Sequence, residues 1–342
     1  AAESAATSLA HRDRLRRRAL YLYGTALADQ SAANISPAGD SSSVDIFQRY
    51  LEDYFTRPGF LDDLAAAESE NILRDLDAEQ RAAVECTDRV LGVRAGAGSG
   101  KTRTITRRIA HRIARGDLFA DQILAVCFTR AAVAEMSSRL AELGVSGVRV
   151  GTLNSVGRQL VSSYWPSLGL RGEPALLDDR EREAIVGRLL QAGTGDGSEH
   201  SGRVLKEIDL ARYACVGPAE YPTWAEDGRS SRSRRGLPSA ASIAEVYSAY
   251  LELLRSSDQI DFLGQIELAI EALSDSAVQD NERLRTRHVV VDEAQDLAPV
   301  EWRFVDRVVG RGELSFVGDP RQAIYEWRGA DPSEFDRRFD HP

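Results

Sequence analysis

"RAGAGSGKTR", residues 94–103, fits the phosphate-binding pattern G-x-x-x-x-G-K-[ST] at every position but the first, where Ala95 stands for glycine. The chain carries 43 basic residues, and Lys101 and Lys206 are the only lysines among them. Arginine is a broad planar fork; lysine is a compact charge on a flexible stem, and the compact one ends this crowded turn. Before the turn, "RVLGVR" (89–94) reads as a strand. After it, "TRTITRRIAHRIARG" reads as a helix that stops at Gly116. In that setting the backbone N–H groups of 96–101 and the helix N-terminus cradle phosphates, with Ala97, Gly98, Ser99 and Gly100 forming the floor. Lys101 then reaches the β- and γ-phosphates and the Thr102 hydroxyl ligates Mg²⁺. A glycine turn without a ligand is the competing reading of this stretch alone.

Working outward, "ILAVCF" (123–128), "VRV" (148–150), "HVVV" (288–291) and "LSFV" (314–317) read as further buried strands. Strands alternating with amphipathic helices predict an α/β fold with a parallel sheet and right-handed crossovers. Ligands of such sheets gather beyond the carboxyl ends of the strands. Between 157 and 284 the strand pattern vanishes, and "LDDREREAIVGRLLQAG", "SAASIAEVYSAYLELLRSS" and "QIELAIEALSD" read as helices of an inserted helical domain. The expected organisation is a helical N-terminal extension (1–75), the first part of the sheet domain (76–156), the insertion (157–284) and the second part of the sheet domain (285–342). The run Arg12, Arg14, Arg16, Arg17, Arg18 reads as a solvated helix face ahead of a polyanion contact. For Arg229, Arg232, Arg234 and Arg235 of the loop 228–236, a phosphate contact and a solvated loop stand equal.

At 342 residues the chain exceeds one ordinary core. No apolar run approaches the roughly 20 residues that span a bilayer, so no membrane partner is expected. The N-terminus lacks the uninterrupted apolar core of a secretory signal. Cys86, Cys127 and Cys215 are odd in number and lack metal-ligand spacing, as expected of a reducing, cytoplasmic setting. The formal net charge of −10 decides nothing about nucleic acid, because a local groove can still be positive.

The two last strands deliver the chemistry. "HVVVDEAQD" ends in Asp292, Glu293, Gln295 and Asp296. Asp292 is placed to hold Mg²⁺, and Glu293 to orient or deprotonate an attacking water. A surface acidic turn is the plainer alternative, disfavoured by four polar residues directly after a buried strand. "VGDPRQAIYEWRGADP" follows the next strand. Gln322 suits sensing a γ-phosphate or positioning water. Tyr325, Trp327 and Arg328 are the parts of a base-stacking platform for single strands, and on an extended segment the two rings share one side. Ordinary core packing is the alternative for these aromatics.

Taken in order, these motifs resemble the first half of a superfamily 1 helicase of the UvrD/Rep/PcrA type, over about 76 to 331. "LDAEQRAAV" resembles the family's Q motif, which implies that Gln80 reads adenine. "AGAGSGKTR" is the family's own phosphate loop, alanine included, and implies Arg103 as a nucleotide contact. "AVCFTRAAVAEM" resembles motif Ia, placing Phe128 at a DNA-stacking position with Thr129 and Arg130 beside it. "VVVDEAQD" and "VGDPRQAIYEWRGA" match motifs II and III, and "IDFLGQIELA", with Asp261 and Phe262, resembles the end of the inserted domain called 1B. Departures are Leu153 and Asn154 in place of an aromatic and a histidine in motif Ib, and Arg130 and Ala131 in place of Asn-Lys in motif Ia.

The resemblance implies ATP-driven 3′-to-5′ translocation on single-stranded DNA, with ATP and Mg²⁺ as cofactors. It also implies a second motor domain, 2A, that follows domain 1A and supplies arginines to the ATP site, so this chain is expected to be the N-terminal half and nearly inactive alone. Two other classes stand beside that expectation: a nucleotide-gated DNA-binding scaffold without sustained turnover, and a small-molecule phosphotransferase, which leaves Phe128, Tyr325 and Trp327 unexplained.

Overall fold

A computed structural model describes residues 69–194, 200–227 and 236–340. The expected helical extension lies outside these residues as far as residue 68, and so do its arginine run and the four arginines of the 228–236 loop. The described residues divide into two units.

The first unit holds residues 69–87, 102–123 and 135–149. Its helix Ala78–Glu85 opens on a capping box. The Gln80 N–H donates to the Asp77 carboxylate at 2.8 Å, and the Gln80 amide oxygen accepts the Asp77 N–H at 3.3 Å. The carbonyls at the far end of that helix lack intrahelical donors, and Arg108 supplies them, at 2.9 Å to Ala83 and 2.6 Å to Cys86. A buried guanidinium is thus matched to the negative end of a helix dipole. Arg107 caps Arg74 in the same way at 2.8 Å. Both arginines project from the helix Lys101–Ala114, which buries Ile105, Ile109 and Ile113 at intervals of four.

The second unit holds residues 88–101, 124–134 and 150–340 of the described chain. Its sheet comprises β1 (Val90–Arg94), β2 (Ile123–Cys127), β3 (Arg149–Thr152), β6 (His288–Val291) and β7 (Glu313–Gly318), in the order β1-β7-β6-β2-β3. β7 pairs in parallel with β1 on one side and β6 on the other, with Val93 opposite Val317 and Val290 opposite Ser315. The α/β fold with a parallel sheet, expected from the sequence, is therefore present. Because β6 and β7 enter between β1 and β2, four motif-bearing loops leave the same sheet edge side by side. β6 is buried along its whole length. Its valines and Phe316 belong to a core with Trp302, Phe304 and Val305 of the helix Pro299–Val309, and Phe316 meets Trp302 edge-on at 5.7 Å.

Helices Asp179–Thr194, Ser201–Tyr213 and Ala240–Ser256 pack a separate core around Val186, Ile208, Ile243 and Tyr250. Two short strands, β4 (Ala175–Leu176) and β5 (Gln259–Ile260), pair in parallel beside them. Directly after β5, Asp261 is fully buried and takes Arg212 at 2.9 Å and the Tyr250 hydroxyl at 2.7 Å. Burial opposes its ionisation, but Arg212 and Arg182 outweigh that and hold the carboxyl well below the ordinary value. Losing one partner of such a buried pair strands a charge in the core. Among the described residues no helix is long and apolar enough to cross a membrane.

Candidate functional site

The phosphate loop starts where β1 ends, and the Ala95 N–H donates to the Gly318 carbonyl at 3.0 Å, tying it to the end of β7. Gly98 and Gly100 have φ of 73° and 83°, a region that side chains avoid. A Cβ built on Gly98 would meet nothing within 4 Å, so the loop is open at that position. Ser99 closes the turn by donating its hydroxyl to the Gly96 carbonyl at 2.7 Å. Lys101, 9% exposed, donates to Glu293 at 2.9 Å. Open backbone, positive φ and a nearly buried ammonium are what a polyphosphate requires, and the loop fits one.

At the end of β6 the sheet is extended by one bond, from the Asp292 N–H to the Val126 carbonyl at 2.9 Å. The next residue, Glu293, sits at φ 50° and ψ 45°, a left-handed conformation that costs a side-chain-bearing residue about 1–2 kcal/mol. That reversal turns its carboxylate back to Lys101, while its N–H rests on Asp292 at 3.0 Å. Asp75, Cys215 and Asp258 also take positive φ, and Glu293 is the one of the four whose carboxylate meets Lys101.

Gln295, buried, reads both neighbouring loops at once. Its amide nitrogen donates to Glu293 at 2.9 Å, and its oxygen accepts the Asp319 N–H at 3.0 Å. Asp319 in turn accepts from the Gln322 amide at 2.6 Å. Burial works against its ionisation, but the Arg321 N–H and the Gln322 amide hold its carboxyl below the ordinary value. Asp296 accepts the Ile324 N–H at 3.2 Å, a second tie between the two loops. Burial pushes its carboxyl up.

Tyr325 and Trp327 do not lie on an extended strand, as their alternation suggested. The backbone turns through a short 3-10 segment, Glu326–Arg328, and the rings gather by that turn. Tyr325 lies 4.3 Å from Phe128 and 6.3 Å from Trp327, centroid to centroid. Trp327 is 72% exposed, which removes ordinary core packing as its role. Beside these rings runs a groove lined by Phe128, Arg130, Asn154, Arg158, Phe262 and Arg328. The helices Arg130–Glu142 and Leu153–Tyr164 begin at it, capped by Thr129 (3.1 Å from Ala132 N–H) and Thr152 (3.2 Å from Ser155 N–H). Asn154, where motif Ib has histidine, donates to the Phe262 carbonyl at 2.6 Å and fixes that half-exposed ring on the rim.

Of the residues singled out in sequence, Lys101, Glu293 and Gln322 thus stand on one sheet edge with Asp292. Phe128, Tyr325, Trp327 and Arg328 form one cluster, while Thr129 serves as a helix cap and Arg130 lines the groove. Gln80, Thr102 and Arg103 belong to the other unit, where Gln80 completes the capping box and Arg103 donates to the Asp75 carbonyl. Sequence reading passed over Asp319, Glu301 and Tyr213. An Asp-Pro pair just ahead of Gln322 was a visible turn signal for the first; the other two carry none.

A parallel sheet with a glycine loop after its first strand and a carboxylate turn after a central one defines a RecA-like P-loop NTPase domain. The chain matches the model of the UvrD/REP helicase N-terminal domain over residues 76–341, and it belongs to that family. It is 36% identical over 293 residues to the ATP-dependent DNA helicase UvrD2 of Mycobacterium tuberculosis, a match covering 79% of this chain and 40% of that protein. It is 30% identical to the ATP-dependent DNA helicase PcrA of Leuconostoc citreum, over 76% of this chain and 34% of that one. The same identity holds to the ATP-dependent DNA helicase Rep of Escherichia coli, over 75% and 38%. The chain spans about 40% or less of the length of these relatives.

Proposed function

We propose that this chain is the ATP- and single-strand-binding half of a cytoplasmic motor that moves 3′ to 5′ along single-stranded DNA and separates strands when joined to a second motor domain. In this reading residues 76–156 and 285–342 are domain 1A and residues 157–284 are domain 1B. The observation that carries it is one unbroken path of hydrogen bonds, Lys101–Glu293–Gln295–Asp319–Gln322, that ends three residues before Tyr325. A change at the phosphate loop has a physical route to the aromatic platform.

The backbone of 96–101 and Lys101 would hold the phosphates, and Asp292 would hold Mg²⁺; by the sequence motifs Thr102 is assigned to Mg²⁺, and Gln80 and Arg103 to the nucleotide. Two protein ligands are enough for Mg²⁺, which keeps waters and phosphate oxygens as the rest of its shell. Bound ATP supplies a phosphoryl group open to in-line attack. Glu293 then orients or deprotonates water, and Gln322, steadied by Asp319, contacts the terminal phosphate. On the strand side, Trp327 and Tyr325 offer faces for bases, and Phe128 lines the groove beside them, packed against Tyr325. Arg130 and two capped helix N-termini offer donors to phosphates, with Arg328 behind them.

Lys101→Ala is expected to abolish productive ATP binding, since it deletes the ammonium facing the phosphates. Equilibrium titration with a fluorescent ATP analogue reads this, and wild-type affinity in the variant would refute the assignment. Trp327→Ala is expected to weaken single-strand binding by about 1–3 kcal/mol, nearly independently of base identity. Because the indole is mostly exposed, the melting temperature should barely move. An early-melting variant with unchanged DNA affinity would return Trp327 to a packing role.

A further inference from the structure

Arg328 is not left to solvent beside the groove. Its guanidinium carbon lies 5.0 Å from the Phe128 ring centroid and 4.9 Å from that of Tyr213, so the cation is held between two aromatic faces. Its edge is paired with Glu301, a carboxylate 1% exposed that also accepts the Ala298 N–H at 2.8 Å. The following residue, Gly329, has φ of 107°, and a Cβ built there would come within 2.8 Å of the Tyr213 Cβ. Tyr213 therefore presses directly on the turn that carries Trp327 and Arg328.

Tyr213 is itself held firmly. It ends the helix Ser201–Tyr213, and its neighbour Arg212 is locked into Asp261 and Glu267 within the buried ionic cluster. The helix end and the buried carboxylate thus hold the Arg328 cation, which packs on the Phe128 ring, and that ring lies 4.3 Å from Tyr325. Burial raises the Glu301 carboxyl, while Arg328 opposes that rise and favours the charged form.

We infer that Tyr213 and Glu301 are positioning residues for the strand-gripping platform: they clamp Arg328 against Phe128, which supports Tyr325, so that the rings of Tyr325 and Trp327 meet bases in a fixed array. The inference rests on the proposed single-strand reading of the groove. It adds that the helical segment 201–213 sets the platform's geometry and that Arg328 acts chiefly through its neighbours.

The test compares binding of an oligodeoxythymidylate with that of an abasic oligomer of equal length, each across a range of salt. Wild-type chain should prefer the base-bearing strand; no preference at all would overturn the single-strand reading and this inference with it. Tyr213→Leu should cut that preference about tenfold, within the range one lost base stack gives. Tyr213→Phe keeps the ring under Arg328 and should restore it. Glu301→Gln keeps an acceptor for the Ala298 N–H but removes the charge that neutralises Arg328. Its preference for bases should fall similarly, and the salt dependence on both strands should steepen by about 0.7 in log–log slope, as one cation turns to phosphate. If wild type prefers bases and Glu301→Gln, at an unchanged melting temperature, keeps both that preference and the wild-type salt slope, the clamp is not a positioning device. Glu301→Gln decides alone should Tyr213→Leu fail to fold.

Discussion

Glu293→Gln lowers the rate of ATP hydrolysis by about 100-fold or more and leaves Mg·ATP affinity undiminished. The two halves of this expectation have separate causes. Hydrolysis falls because an amide cannot take a proton from water, nor orient it as strongly as a carboxylate does. Affinity holds because Glu293 and an incoming phosphate compete for one ammonium: Lys101 stands 2.9 Å from the Glu293 carboxylate. Removing the negative charge frees Lys101 for the phosphates, so nucleotide binding stays level or tightens. Gln295 donates to the same carboxylate oxygen, and the amide oxygen of a glutamine can still accept that bond. The left-handed backbone at 293 is as available to glutamine as to glutamate, so the fold has no reason to change. The measurement pairs a nucleotide titration with single-turnover hydrolysis, in the longest natural chain that contains these residues. Collapse of affinity with turnover intact would exchange the roles of the phosphate loop and the acidic turn.

Much of this site was legible because its signals are local. A strand written as a histidine and three valines, followed by Asp292, Glu293, Gln295 and Asp296 around one alanine ("HVVVDEAQD"), states where the sheet ends and where its chemistry begins, and β6 is His288–Val291 in the structure. The phosphate loop is equally explicit, since its glycines are required by backbone geometry that sequence records directly. The clustering of the aromatic pair was legible, and its backbone geometry was not. Alternation implies a shared side only on extended backbone, whereas Tyr325 enters a turn ending at Gly329. Long-range contacts were the least legible. Glu301 announces itself as the first-turn acid of the helix Pro299–Val309, and nothing in its neighbours says that it also neutralises Arg328, 27 residues on. Tyr213 reads as the apolar end of a helix, and its closeness to Gly329 depends on how helix 201–213 meets the sheet domain. The insertion's buried ion cluster was out of reach for the same reason: Arg182, Arg212 and Asp261 come from three separate segments.

Residues 1–342 alone are expected to bind Mg·ATP weakly and turn it over at a trace rate, and joining them to a second motor domain is expected to raise DNA-stimulated hydrolysis about 10³- to 10⁵-fold. Phosphoryl transfer is catalysed mainly by positioning and by neutralising charge on the transferring group, so the number of cations around that group sets the rate. On the sheet edge described above, Lys101 faces Glu293, and it is the cation that the proposed function turns to the phosphates. Two arginines of the turn after β7 are engaged elsewhere: Arg321 with Asp319, and Arg328 with Glu301 and two aromatic rings. Releasing Arg328 for the phosphates would break its pairing with Glu301 and its packing on Phe128 and Tyr213. In the proposed function, further cations would come from a second motor domain. Steady-state hydrolysis by the two proteins, each with and without single-stranded DNA, measures the difference. Robust DNA-stimulated turnover by residues 1–342 would mean that an arginine of this chain, or of a second copy, completes the site. The half-motor reading would then fail, while the phosphate loop and Glu293 kept their roles.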